Sequence, residues 1–132
     1  MVIKSTLNHL QIYVSDKNKS FPFYKELLSY LGYEVVEEDK SSLGMRNLPT
    51  DIWLKEAPKD GKSYNRRNTG VNHIAFGVSK KADVDRFCKD FLIPRGINTL
   101  YDTPKQFPEY TKEYYAVFFE DPDGIKLEVV FS

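Results

Sequence analysis

Cysteine is all but absent from this chain of 132 residues, where Cys88 stands alone. A single thiol excludes an internal disulfide and fits a reducing cytosol. An excess of either charge is absent as well. Lysine plus arginine number 19 and aspartate plus glutamate 19, so no global field draws the chain to nucleic acid or to an anionic membrane. No uninterrupted apolar run approaches the roughly 20 residues that a membrane helix requires. The opening MVIKSTLNH likewise lacks the apolar core of a secretory signal. These absences lead to the expectation of a soluble, cytoplasmic protein with neither nucleic acid nor membrane among its partners. With 41% apolar and 29% charged residues, the chain is expected to form one compact unit with a real core. Histidine is scarce too, and the only two are His9 and His73.

Both histidines stand at the third place of nearly the same phrase, LNHLQIYVS from Leu7 and VNHIAFGVS from Val71. With one histidine fixed, a random second one lands on the equivalent position with odds on the order of one in a hundred. Aligning residue n with n+64 over 7–36 needs no gap. It pairs Asn8 with Asn72, His9 with His73, Val14 with Val78, Ser15 with Ser79, Phe23 with Phe87, Leu28 with Leu92 and Gly32 with Gly96. A duplicated supersecondary unit explains this.

Each copy opens as a strand. Leu10, Ile12 and Val14 alternate with His9, Gln11 and Tyr13, and Ile74, Phe76 and Val78 alternate with His73, Ala75 and Gly77. A helix follows, with Ser15 or Asp16, and Ser79, as N-caps. Its apolar stripe is Phe21, Tyr24, Leu27, Leu28 and Leu31 in one copy and Val84, Phe87, Cys88, Phe91 and Leu92 in the other. Gly32 and Gly96 fall where left-handed C-terminal caps belong. Strands are then expected at 32–36, 43–48 and 51–56, and at 114–120 and 125–131 around the turn Asp121-Pro122-Asp123-Gly124. The segment 102–112 reads as a loop whose aromatics form a lid or an edge. The expected organisation is a single domain, 1–132, of two modules, about 5–57 and 70–132, joined by a polar linker.

If the helices cover the apolar strand faces, His9 and His73 point the other way. The same alternation turns Glu128 inward beside Lys126 and Val130, and Trp53 and Lys55 inward opposite Ile52 and Leu54. Two imidazoles and a carboxylate form a competent set for one divalent transition metal that keeps positions open for water or substrate. The alternative is a pair of half-buried histidines hydrogen-bonded to their neighbours. On the same faces, Trp53 either stacks on substrate or fills the floor. Lys55 either holds an anionic group or snorkels to the rim. Tyr13 and Gln11 either contact substrate or pack. Cys88 is read as buried and inert, and Arg66 and Arg67 as a solvated linker.

The halves LNHLQIYVS…FYKELLSYLGYEV and VNHIAFGVS…DPDGIKLEVV resemble the vicinal oxygen chelate superfamily of glyoxalases, extradiol dioxygenases, fosfomycin-resistance thiol transferases and bleomycin-resistance proteins. The resemblance implies an α+β fold in which two tandem βαβββ modules form a curved mixed sheet, a cup with the helices outside. It carries the ligand roles over to His9, His73 and Glu128, with Zn, Mn, Fe, Co or Ni as the metal. Glyoxalase I draws a fourth ligand, a glutamate, from the position that the resemblance matches here to Lys55, which cannot ligate while protonated; Glu56 would enter only through a register shift. Phe118 stands where the extradiol signature has tyrosine, which disfavours ring cleavage. The implied activity is Lewis-acid chemistry on a small oxygen-rich molecule, of glyoxalase-like lyase or isomerase or of thiol-transfer type. A metal-free, drug-sequestering protein is the alternative. Glu56, Tyr13, Tyr114 and Tyr115 remain open as general bases, and a homodimer is expected.

Overall fold

Each copy of the repeat folds into a strand, a helix and three further strands, as described by a computed structural model covering all 132 residues. The first copy contains β1 (His9–Val14), α1 (Lys17–Tyr30), β2 (Glu34–Glu38), β3 (Ser42–Asn47) and β4 (Thr50–Glu56). The second contains β5 (His73–Gly77), α2 (Lys81–Phe87), β6 (Leu100–Gln106), β7 (Tyr115–Glu120) and β8 (Lys126–Phe131). They form two units, Met1–Ser63 and Tyr64–Ser132. No helix is long and apolar enough to cross a membrane.

The strand orders are β1-β4-β3-β2 and β5-β8-β7-β6. In each sheet the first strand pairs in parallel with the last, and the other neighbours are antiparallel. The crossover helix makes that parallel pairing possible. It also sets the asparagine–histidine strand beside the strand that ends the module. α1 packs on β2, β3 and β4, and α2 on β7 and β8. The period-two pattern decides which side chains meet them. Ile12, Val14, Ile52 and Leu54 are buried in the first unit and Phe119, Leu127 and Val129 in the second. On the opposite face of the second sheet a smaller cluster forms from Phe107, Ala116, Phe118 and Val130.

The caps follow local chemistry. Asp16 caps α1 by accepting from the Asn18 amide, and Gly32 leaves it at φ +92°. The Tyr33 amide then bonds Leu28 O at 2.8 Å and the Gly32 amide bonds Ser29 O at 3.1 Å, a Schellman closure. Gly96, at φ +64°, closes the second helical segment in the same way, with Ile97 bonded to Leu92 O and Gly96 to Ile93 O.

Four expectations need correction. Ser79 does not cap α2: Lys80 holds that place without a side-chain bond, so the helix starts one residue later. The helix also changes pitch, passing through a π turn at Cys88–Leu92 and a 3-10 turn at Ile93–Arg95, while its stripe stays buried. The strand expected at 32–36 begins only at Glu34, because Gly32 and Tyr33 are used to close α1. Much of the 102–112 loop is strand, since β6 runs to Gln106 as the edge of its sheet.

Candidate functional site

The parallel pairing of β5 with β8 sets His73 opposite Lys126 and Ala75 opposite Glu128, on the face turned away from α2. His73 Nε2 lies 3.1 Å from Glu128 Oε2. Glu128 is fully buried, and Tyr114 donates its hydroxyl proton to the other oxygen, Oε1. Despite the short distance to His73, Oε2 receives no directed hydrogen bond. Direction decides between the two, because a hydrogen bond weakens steeply off its axis.

The proton inventory of the imidazole points the same way. Asn72 Nδ2 donates to Arg66 O at 3.1 Å, and Asn72 Oδ1 stands 2.8 Å from His73 Nδ1. A carbonyl only accepts, so the contact with Arg66 fixes which end of the Asn72 amide is nitrogen. The oxygen end therefore requires a proton on Nδ1. In the neutral ring this leaves Nε2 as a lone pair beside a buried carboxylate oxygen, with its axis passing to one side of it. Two acceptors this close, one of them buried without a donor, call for a cation. Two ligands about 2.1 Å from one ion, at angles near 90–110°, stand roughly 3–3.4 Å apart. The pair fits a divalent metal.

Around this pair lies a cavity of about 680 Å³ walled by Tyr101, Phe107, Tyr110, Tyr114 and Phe118, with Lys126 reaching into it. Phe118 meets His73 edge-on, with ring centres 5.8 Å apart. Burial, then the bond to Glu128 and its charge, push the Tyr114 phenol well above its ordinary value, so Tyr114 serves as a donor and not as a base.

In the first unit His9 repeats the arrangement, with Nδ1 2.7 Å from Asn8 Oδ1. The β1–β4 register sets Gln11 opposite Trp53 and Tyr13 opposite Lys55, on the same face of the sheet as His9. The indole of Trp53 lies over Gly44 so closely that a Cβ there would stand 2.5 Å from the ring. Neither unit by itself gathers three His, Cys, Asp or Glu side chains. His73 and Glu128 meet in the second unit, and His9 stands on the first unit's sheet.

A model of the Glyoxalase/Bleomycin resistance protein/Dioxygenase superfamily matches residues 6–129. The chain belongs to that superfamily. It is 32% identical to the uncharacterized protein YqjT of Bacillus subtilis, over 94% of this chain and 97% of that one. It is 25% identical to the metallothiol transferase FosB of Staphylococcus saprophyticus, over 94% of this chain and 75% of the relative. The crystal structure of a provisionally named glyoxalase from Bacillus halodurans superposes with a TM-score of 0.87 at 30% identity, covering 98% of this chain and 97% of that one. The fosfomycin resistance protein FosX of Listeria monocytogenes shares the fold, with a TM-score of 0.70 at 19% identity and coverage of 98% and 95%.

Within this superfamily member the registers reassign one position. Gln11 faces Trp53 as Ala75 faces Glu128, so the internal counterpart of Glu128 is Trp53 rather than Lys55. Indole does not ligate a metal in place of a carboxylate, so the departure from a four-ligand glyoxalase site stands, now at Trp53. Glu56 is committed elsewhere, because its Oε2 accepts from the Lys17 amide at 3.0 Å and satisfies the start of α1. Tyr115 also leaves the set of bases. Its hydroxyl donates to Asp85 on α2 at 2.5 Å, and burial with that partner pushes it up to about 12. Arg66 and Arg67 lie in a linker that is largely exposed, as expected, and the part-exposed Arg66 also pairs with Glu120 at 2.7 Å. Cys88 is buried as expected, and burial pushes its thiol up to about 11. Sequence reasoning missed Asn8 and Asn72 as orienters, although an asparagine preceding both histidines was the visible signal.

Proposed function

We propose that this protein is a divalent-metal-dependent enzyme acting on a small oxygen-rich molecule, as a glyoxalase-like lyase or isomerase or as a thiol transferase. The observation that carries the reading is His73 Nε2 at 3.1 Å from the buried Glu128 Oε2, which receives no directed hydrogen bond. We assign His73 and Glu128 as ligands. His9, their repeat counterpart with the same asparagine behind it, is proposed as the third ligand. When bound, the ion would act as a Lewis acid on a substrate oxygen, and this ligand chemistry suits Zn, Mn, Fe, Co or Ni. Tyr114 holds Oε1 of Glu128 and so leaves Oε2 for the ion. Asn72 keeps the His73 proton on Nδ1. Gln11, Tyr13, Trp53 and Lys55 are proposed as the substrate-facing surface of the first sheet, with Trp53 seated on Gly44.

The similarity to a metallothiol transferase supports the thiol-transfer branch. Phe118 beside His73 offers no hydroxyl, which argues against extradiol ring cleavage. The largely aromatic cavity favours a second reading, a metal-free protein that sequesters a small molecule. We further propose a homodimer working in the reducing cytoplasm. Elemental analysis of protein purified without chelator should find about one divalent ion per chain in the parent and sharply less in His73→Ala. Equal occupancy in the two would refute the ligand assignment, and no metal in either would favour the sequestering reading.

A further inference from the structure

Lys126 is two residues before Glu128 on β8, and its ammonium reaches into the same cavity without a carboxylate partner. Its Nζ lies 3.3 Å from the Tyr101 hydroxyl and 5.3 and 5.6 Å from the ring centres of Tyr101 and Phe118. An ammonium part-buried against aromatic rings has surrendered much of its water, so an arriving anion meets little competition. The surrounding rings present both faces and edges. Phe118 meets Tyr101 and Phe107 edge-on, and Tyr110 is stacked on Phe107.

The chain holds this wall by unusual means. Tyr101 and Asp102 both adopt left-handed backbone, with φ +59° and +54°. The register of β6 on β7 shifts between Leu100 and Lys105. Thr103 pins the irregular stretch by donating to Leu100 O at 2.6 Å and accepting from the Phe118 amide at 3.0 Å. Two non-glycine residues in this region are costly, and the result is a tyrosine, half exposed, set beside an ammonium at the cavity mouth.

We infer that the cavity of the second unit selects small aromatic acids, with Lys126 receiving the anionic oxygens and the ring seated among Phe107, Tyr110 and Phe118. The inference rests on the reading of this cavity as the substrate site and names the substrate class. An anionic group at Lys126 leaves the rest of the molecule to reach the His73–Glu128 pair.

The test uses 1-naphthoate, the uncharged 1-naphthamide and the ring-free acid decanoate, titrated calorimetrically into the full-length protein as purified and after chelator treatment. Naphthoate should bind about tenfold tighter than either comparison ligand in both preparations, the scale of a charge-assisted hydrogen bond. Lys126→Gln should erase the preference over naphthamide while leaving naphthamide itself within about twofold, which also reports that the cavity is intact. Lys126→Arg should retain the preference. Equal binding of acid and amide, an undiminished preference in Lys126→Gln, or decanoate binding as tightly as naphthoate would overturn the inference. A preference that vanishes with chelator but survives Lys126→Gln would put the anion on the metal, overturning this inference and sustaining the proposed function. Metal-free protein as purified that still shows the Lys126-dependent preference would sustain this inference and overturn metal dependence.

Discussion

Asn72 does most to define the chemistry, although it touches neither a reacting atom nor a metal. Its amide joins the Arg66 carbonyl to the His73 ring, and Arg66 is itself held by Glu120 and by Gly124 O. The chain of contacts decides which imidazole nitrogen carries the proton. Alanine at this position frees the ring to rotate and exchange tautomers, so Asn72→Ala should weaken divalent-metal affinity by about 10–100-fold. Competition with a chromogenic chelator would measure it. A change below twofold would mean that the ring is oriented by something other than this amide. Fold stability should change little by comparison, because Asn72 is exposed and its contacts are surface hydrogen bonds.

At the scale of elements, the parallel pairing of first and last strands does the positioning. It brings β5 to β8 and β1 to β4, so residues far apart in the chain become register partners. The cost of tight strand chemistry is visible on β3. Gly44 faces Trp53 across the antiparallel pair, and the indole fills the volume where a side chain would stand. Gly44→Ala forces the ring to move against packed neighbours, with an expected loss of about 1–3 kcal/mol. Because Trp53 is the only tryptophan, its emission should shift in the same variant, and denaturant melts followed by that emission test both effects. An unchanged midpoint and spectrum would show that the indole is free to swing away, as a substrate-stacking residue would be.

For the whole molecule, each sheet leaves edge strands unpaired. β2 is one of them, is exposed along its whole length, and shows Val35 and Val36 at 40% and 42% exposure among glutamates. Open edges with apolar side chains invite a symmetric partner. Light scattering at micromolar concentration should therefore give about twice the 15.4 kDa chain mass. A monomer mass would refute the dimer and leave the ligand assignments untouched.

Local periodicity was enough to read the duplicated strand–helix–strand modules, their buried faces, the glycine caps and the inward turn of His73 and Glu128. The duplication itself shows as a 64-residue offset, and the other features depend on residues one to four positions apart, where alternation and helical spacing are written directly in the chain. Assigning Trp53 rather than Lys55 as the counterpart of Glu128 required the register of two strands, which depends on how whole strands slide past each other. The commitment of Glu56 to the start of α1 and of Tyr115 to Asp85, and the reach of Arg66 to Glu120, join residues 39, 30 and 54 positions apart. No local pattern encodes such distances. The aromatic wall around Lys126 was hidden for a related reason. It is built on an irregular, left-handed stretch of β6 whose course is set by Thr103 bonding across to Phe118, and tertiary packing alone holds that backbone in place.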